Sequence, residues 1–257
     1  MKRKEWCTVI SQDELTSGIY SMWLEAKDMA SEAQAGQFLS VYCNDGARLL
    51  PRPISLCEID KEKGLLRIVY RVAGKGTYEL SELQAGDRVS VLGPLGNGFP
   101  LTKAEGRTVF LIGGGIGIPP MVETAKQLNA EKKIIAGYRD RNLFLTEELE
   151  NAGEIYISTE DGSKGTKGTV LDAVRLEGLK GDIIFACGPT PMLRAIKAYA
   201  AEHEMECYLS LEERMACGIG ACLACVCQSR DVDSHAHIHN KRICKDGPVF
   251  EASEVEF

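Results

Sequence analysis

Four cysteines crowd one short stretch of the chain, Cys217, Cys222, Cys225 and Cys227, and Cys244 follows them. The spacing Cys217-x4-Cys222-x2-Cys225, with Cys244 after eighteen further residues, is that of four thiolates around a [2Fe–2S] cluster. Ala216, Gly218, Gly220, Ala221 and Ala224 lie among them. Small residues let a backbone wrap closely and turn its N–H groups toward cluster sulfur. The competing chemistry is structural zinc, whose ligands usually come as two tight pairs rather than three in one loop. Cys227 competes with Cys244 as fourth ligand. It lies too near Cys225 to reach easily across a cluster, whereas the turn Ile243-Cys244-Lys245-Asp246-Gly247-Pro248 could return a thiolate. His235, His237 and His239 raise a mixed His/Cys centre, but none lies inside the Cys217–Cys225 loop. The plainer reading is a polar hairpin between Cys227 and Cys244.

Two glycine-rich turns suit a dinucleotide. Gly113-Gly114-Gly115-Ile116-Gly117-Ile118-Pro119-Pro120 follows an apolar strand and opens a helix. A pyrophosphate can approach glycine backbone there and meet the free N–H groups of the helix start. The last position of a strict G-x-G-x-x-G is Ile118, so this is not the usual fingerprint. Cys187-Gly188-Pro189-Thr190-Pro191 follows a second strand, with Thr190 expected to cap a helix and Pro191 to begin it. Ser158-Thr159-Glu160-Asp161-Gly162 brings carboxylates where an adenosine ribose could lie, which favours NAD over NADP. Arg139 and Arg141 argue the other way.

The elements that must position these loops fall into three regions. Residues 1–100 read as short strands, such as Leu65 to Val72 and Arg88 to Leu92, between turns at Gly18, Gly36, Asn44-Asp45-Gly46, Lys63-Gly64, Gly86-Asp87 and Gly93-Pro94. That pattern is an antiparallel β-barrel or sandwich. Residues 101–206 alternate strands (Val109 to Ile112, Lys133 to Ala136, Glu154 to Ser158, Asp182 to Ala186) with helical stretches, the last from Pro191 to Ala201. This implies a doubly wound parallel sheet. Residues 207–257 hold the cysteines and little that reads as a core, so a metal is expected to hold them together.

Composition sets limits. The 257 residues allow two domains and a small third. A net charge of -7 argues against a nucleic-acid partner. The basic start lacks an apolar run after it, and no stretch suits a membrane span. A cytoplasmic protein is expected, in which ten cysteines point to metal or redox chemistry rather than disulfides.

In this order the motifs resemble the ferredoxin reductase superfamily, a flavin-binding barrel followed by a nicotinamide domain. Arg52-Pro53-Ile54-Ser55 is similar to its Arg-Pro-x-Ser flavin motif. The resemblance implies Arg52 at the FAD phosphate, Ser55 at the isoalloxazine, Ile68-Val69-Tyr70 lining the flavin, and Gly74-Lys75-Gly76-Thr77 as a pyrophosphate loop with Thr77 capping the helix that carries Leu80 and Leu83. Cys187 would lie near the nicotinamide, or is simply a buried small residue. Arg52, Pro53, Ile54, Ser55, Ile68, Val69, Tyr70, Gly74, Gly76, Thr77, Gly113, Gly114, Gly115, Gly117, Cys187, Gly188 and Pro189 are thus the expected dinucleotide contacts. Cys217, Cys222, Cys225 and Cys244 are the expected cluster ligands.

The resemblance narrows at Leu92-Gly93-Pro94-Leu95-Gly96-Asn97-Gly98-Phe99, Glu212-Glu213-Arg214-Met215-Ala216-Cys217-Gly218 and Cys244-Lys245-Asp246-Gly247-Pro248-Val249-Phe250. These look like the electron-transfer subunits of class 1B dihydroorotate dehydrogenases, over nearly the whole chain. The His-containing stretch before Cys244 looks longer than usual. This family implies a catalytic partner carrying FMN, two copies of each subunit, and electrons moving from that FMN through the cluster and FAD to NAD. No acid–base dyad is expected. The corresponding subunit of an NAD-dependent ferredoxin:NADP oxidoreductase or of a sulfhydrogenase shares most motifs and is the close alternative. A zinc-stabilised binding module is the distant one.

Overall fold

The computed structural model describes residues 2–230, 232 and 238–256. His235 and His237 lie outside the described residues; His239 places Nδ1 2.7 Å from the Arg230 carbonyl oxygen. Among the described residues, the N-terminal region holds β1 (Arg3–Thr16), β2 (Ile19–Glu25), α1 (Lys27–Glu32), β3 (Phe38–Val41), β4 (Arg52–Asp60), β5 (Leu65–Arg71), α2 (Lys75–Ser81) and β6 (Arg88–Leu95). The strands close into an antiparallel barrel in the order β1-β2-β5-β4-β3-β6. Its interior is filled by alternate residues such as Met22, Leu24, Leu39, Leu56, Leu66 and Ile68, all fully buried, as the period of two dictates. Sequence reading misses β1 because its polar run, Ser11 to Thr16, obscures the alternation. Gly93-Pro94, expected as a turn, is a cis peptide inside β6.

The next region comprises β7 (Thr108–Gly114), α3 (Pro119–Gln127), β8 (Glu131–Tyr138), α4 (Thr146–Glu150), β9 (Glu154–Thr159), β10 (Thr166–Lys167), α5 (Val170–Leu176), β11 (Ile183–Cys187), α6 (Thr190–Glu202) and β12 (Glu206–Ser210). The strands run parallel in the order β10-β9-β8-β7-β11-β12. Both faces are covered, which is why β7 and β11 read as unbroken apolar runs. The order reverses between β7 and β11, where open sheets of this kind form their ligand crevice. Thr190 lies inside α6, and Pro189 stands at its cap with no side-chain cap bond. A proline at the cap displaces the helix start by one residue.

The C-terminal stretch holds β13 (Val226–Ser229), β14 (Asn240–Arg242), α7 (Ile243–Asp246), β15 (Val249–Glu251) and β16 (Val255–Glu256). It is not the coreless appendage expected. β15 joins the parallel sheet as an antiparallel edge on β12, with Ser210 opposite Val249. Cys225, Ile243, Cys244, Phe250 and Val255 share one buried cluster with Phe110, Ile112 and Ile184 of the sheet. The sheet thus supplies the apolar partner that the segment lacks on its own.

Two polar sets fasten the barrel to the rest. Glu123 of α3 accepts the Ile59 N–H of β4 at 2.8 Å. Beside it, Arg67 pairs with Glu58 at 2.7 Å and with Glu148 of α4 at 2.8 Å. On the other side, Asn97 accepts the Val249 N–H at 3.0 Å and donates to the Val249 carbonyl at 2.9 Å. Its own N–H donates to the Gly247 carbonyl at 2.7 Å. Asn97→Ala removes the two side-chain bonds to Val249. We expect it to lower unfolding stability by about 2 kcal/mol, read as a lower denaturant midpoint at unchanged slope.

Candidate functional site

A cavity of about 540 Å³ opens where barrel, sheet and C-terminal segment meet. One wall is the barrel: Phe38, Arg52, Pro53, Ile54, Ser55, Val69, Tyr70, Arg71 and Thr77. The other consists of Ile116 from the glycine-rich turn after β7, residues 210–215 after β12, and Pro248. Of the barrel residues expected at a flavin, Ile68 does not line it and instead packs in the barrel core. Arg71, Ser210 and Leu211 were not singled out in the sequence, and Glu212 to Met215 were noted only as part of the stretch that leads into Cys217. The signal was present in their adjacency to Tyr70 and Cys217.

The phosphate end is built by exclusion. A Cβ at Gly76 would overlap the Arg52 guanidinium, so only glycine at the start of α2 admits that side chain. Arg52 is further held by donation to the Leu50 carbonyl at 2.5 Å. Thr77 does cap α2, but from inside it. Its Oγ accepts the N–H of Ala73 at 2.9 Å and that of Gly74 at 3.2 Å, while Gly74 holds the cap position. Leu80 lies in this helix and Leu83 just beyond it. A guanidinium beside a helix start, in the lining of a cavity that Val69 and Tyr70 also line, suits a flavin dinucleotide.

The glycine-rich turns serve one another as well as a ligand. Cys187 pairs with Gly113 across the parallel ladder. A Cβ at Gly117 would strike the Cys187 carbonyl, and one at Gly114 would strike Met192 of α6. Gly115 holds φ +52°, and a Cβ built on it would stand 3.6 Å from the Arg71 guanidinium. Cys187 is fully buried, and burial, reinforced by Glu212, pushes its thiol well above the usual range. Surrounding protein likewise raises the Glu212 carboxyl against the pull of Arg71. Glu160 and Asp161 fold back on the other loop, their N–H groups donating to the carbonyls of Tyr138 and Arg139 at 3.1 Å and 3.4 Å. The carboxylates and arginines that argued opposite ways are therefore neighbours.

The thiols gather below the cavity. Cys217 Sγ accepts the N–H groups of Ile219 at 3.4 Å and Ala221 at 3.2 Å; Cys244 Sγ accepts that of Gly220 at 3.1 Å. Cys225 Sγ accepts the Cys244 N–H at 3.4 Å. Burial opposes a Cys217 thiolate, but the N–H groups of Ile219, Cys222 and Ala221 with the Cys222 thiol carry its pKa down to about 6. Burial and the Cys225 thiol push Cys244 up to about 12. Among the described residues no three His, Cys, Asp or Glu side chains surround one point. Instead Cys217 contacts Cys222, and Cys225 contacts Cys244. Zinc needs four donors about a single ion, whereas a two-iron cluster takes two thiolates at each iron; the paired arrangement fits the latter. Cys227 points elsewhere, donating to the Lys241 carbonyl at 3.6 Å, and burial raises it to about 11.

Comparison with known proteins gives three matches along the chain. Residues 7–99 match the oxidoreductase FAD-binding domain, residues 111–198 the oxidoreductase NAD-binding domain, and residues 212–256 the iron-sulfur cluster binding domain of dihydroorotate dehydrogenase B. The chain is 42% identical over 261 residues to the dihydroorotate dehydrogenase B (NAD(+)) electron transfer subunit of Bacillus cereus (strain B4264), covering 99% of both. The same figures hold for that of Bacillus anthracis (strain CDC 684). Among solved structures, a chain of the NADH-dependent reduced ferredoxin-NADP oxidoreductase superposes with a TM-score of 0.87 at 29% identity, covering 97% of this chain and 89% of the other. The cytochrome P450 reductase of Amycolatopsis, at 24% identity and a TM-score of 0.63, shares the fold.

Gly76→Ala should displace the Arg52 guanidinium while leaving the other cavity-lining residues in place. We expect flavin affinity to fall roughly tenfold or more, the equivalent of one lost bond to a charged group. A fluorescence titration of the flavin-free protein with FAD measures it.

Proposed function

Since the chain belongs to the family of dihydroorotate dehydrogenase B electron transfer subunits, we propose that it serves a catalytic subunit carrying FMN and passes electrons from that FMN to NAD. It is an oxidoreductase subunit with FAD-binding, NAD-binding and iron-sulfur domains. Bound FAD exchanges single electrons with an iron-sulfur cluster and a hydride with NAD, which accepts electrons only in pairs. The observation that carries this reading is one continuous stretch of chain. Residues 210–215 form a wall of the flavin-sized cavity and lead directly into Cys217.

The residues then divide the work. Arg52, Gly76 and Thr77 hold the FAD phosphates, with Gly74 at the same loop. Pro53, Ile54, Ser55, Val69 and Tyr70 flank the isoalloxazine, and Ile68 supports them from inside the barrel. Gly113, Gly114, Gly115, Gly117, Gly188 and Pro189 shape the crevice for NAD, and Cys187 closes it against water. Cys217, Cys222, Cys225 and Cys244 hold the cluster. The stretches 1–100, 101–206 and 207–257 act as the flavin, nicotinamide and cluster domains. Ile219 and Leu223, 46% and 42% exposed beside the thiols, suit a face for the partner. Two copies of each subunit and a cytoplasmic site complete the proposal. Among the described residues no helix is long and apolar enough to cross a membrane.

The high TM-score with the ferredoxin-NADP oxidoreductase chain favours one second reading: the same cofactor order serving a different partner. Anaerobic purification of the tagged chain from its host, with mass spectrometry of what accompanies it, separates the two. An FMN-containing dihydroorotate dehydrogenase in fixed ratio is the expected outcome. A glutamate-synthase-like or hydrogenase subunit in its place would remove the pyrimidine role. The ligand set has its own test: Cys244→Ser should lose the cluster's visible absorbance and iron content, while Cys227→Ser should keep both.

A further inference from the structure

Ser40 is an unexplained polar group where the cysteine loop meets the barrel strand beside the cavity. It lies on β3 with no exposed surface, and its Oγ has no hydrogen-bond partner among the described residues. A buried hydroxyl left unpaired is costly, so such a group calls for an acceptor. Its surroundings indicate which. Ser40 is paired across the ladder with Pro53, inside the flavin motif, and with Leu92 of β6. Phe38, two residues earlier and on the same strand face, lines the cavity, as does Pro53. Ser40 does not, because the cysteine loop covers it. A Cβ built on Gly218 would stand 2.9 Å from the Ser40 Oγ and 3.2 Å from Leu95. Gly218 follows Cys217 directly and holds φ +68°, a conformation that lets the loop press against the barrel at this point.

We propose that Ser40 is a positioning and tuning residue for the iron–sulfur cluster, its hydroxyl donating a hydrogen bond to sulfur at the Cys217 side of the loaded site. This rests on the cluster assignment above. A donor to cluster sulfur stabilises the reduced, more negative state and raises its reduction potential. The barrel strand that faces the flavin would thereby also set the potential of its electron-transfer neighbour.

The test is an EPR-monitored redox titration of the cluster in the complete, cofactor-loaded protein. Ser40→Ala should shift the midpoint downward, changing the reduced-to-oxidised ratio at fixed potential by up to about tenfold, which is ~59 mV for one electron. Ser40→Thr and Ser40→Val have the same shape and differ in the hydroxyl. Thr should stay near the wild-type midpoint and Val should follow Ala, a comparison that stands even where Ala folds poorly. Equal midpoints in Thr and Val would overturn the inference, because packing alone would then account for any shift. An unshifted Ala variant would overturn it too. A wild-type protein without a [2Fe–2S] signal would instead overturn the cluster assignment itself.

Discussion

Val249 is bound on both of its edges, and the placement of the thiols follows from that. On one side β15 pairs with β12, supported by donation from the Leu211 N–H to the Pro248 carbonyl at 2.9 Å and from the Ala252 N–H to the Cys207 carbonyl at 2.8 Å. On the other side the Asn97 amide makes both bonds to the Val249 backbone, acting as one residue of a further strand. Asn97 belongs to the turn that leaves the barrel, β12 to the nicotinamide sheet, and Val249 to the chain just past Cys244. Three regions of the chain are thereby registered against one another at a single residue. Electron transfer weakens steeply with distance, so a relay depends on such registration more than on any one reactive group.

The second fastening, Glu123 and Arg67 against β4, does the same for the flavin and nicotinamide sites. β4 begins at Arg52, and Glu123 lies one turn into the helix that follows the glycine-rich turn. Buried ion pairs add little net stability once desolvation is counted. Their value here is geometric: they allow one alignment of barrel and sheet and make others costly.

Much of this was legible in the residues. The cysteine spacing selects a cluster because ligand geometry is local, and the strand–helix alternation selects the sheet because its period is local. The site residues proposed on β4, around α2 and at the glycine turns rest on motif order. What escaped was non-local. The place of Ile68 in the barrel core is one case, because a three-residue motif cannot report which side of a closed barrel is hollow. The C-terminal segment looked coreless because its partners, Phe110 and Ile184, lie many residues earlier. Arg71 and Glu212 acquire meaning only once barrel and sheet are set against each other. That the glycines at 114 and 117 also make room for Met192 and the Cys187 carbonyl is a second example, since those neighbours come from a distant strand and helix.

The seating of β15 has a further consequence. It covers the last parallel strand, β12, whose outward backbone groups would otherwise form an open edge. Such an edge is a template for pairing with another chain. The segment that gathers the thiols therefore also closes the β12 edge of the nicotinamide sheet. Damage that released it, by oxidation of the cysteines or by proteolysis, would convert a redox lesion into an aggregation hazard.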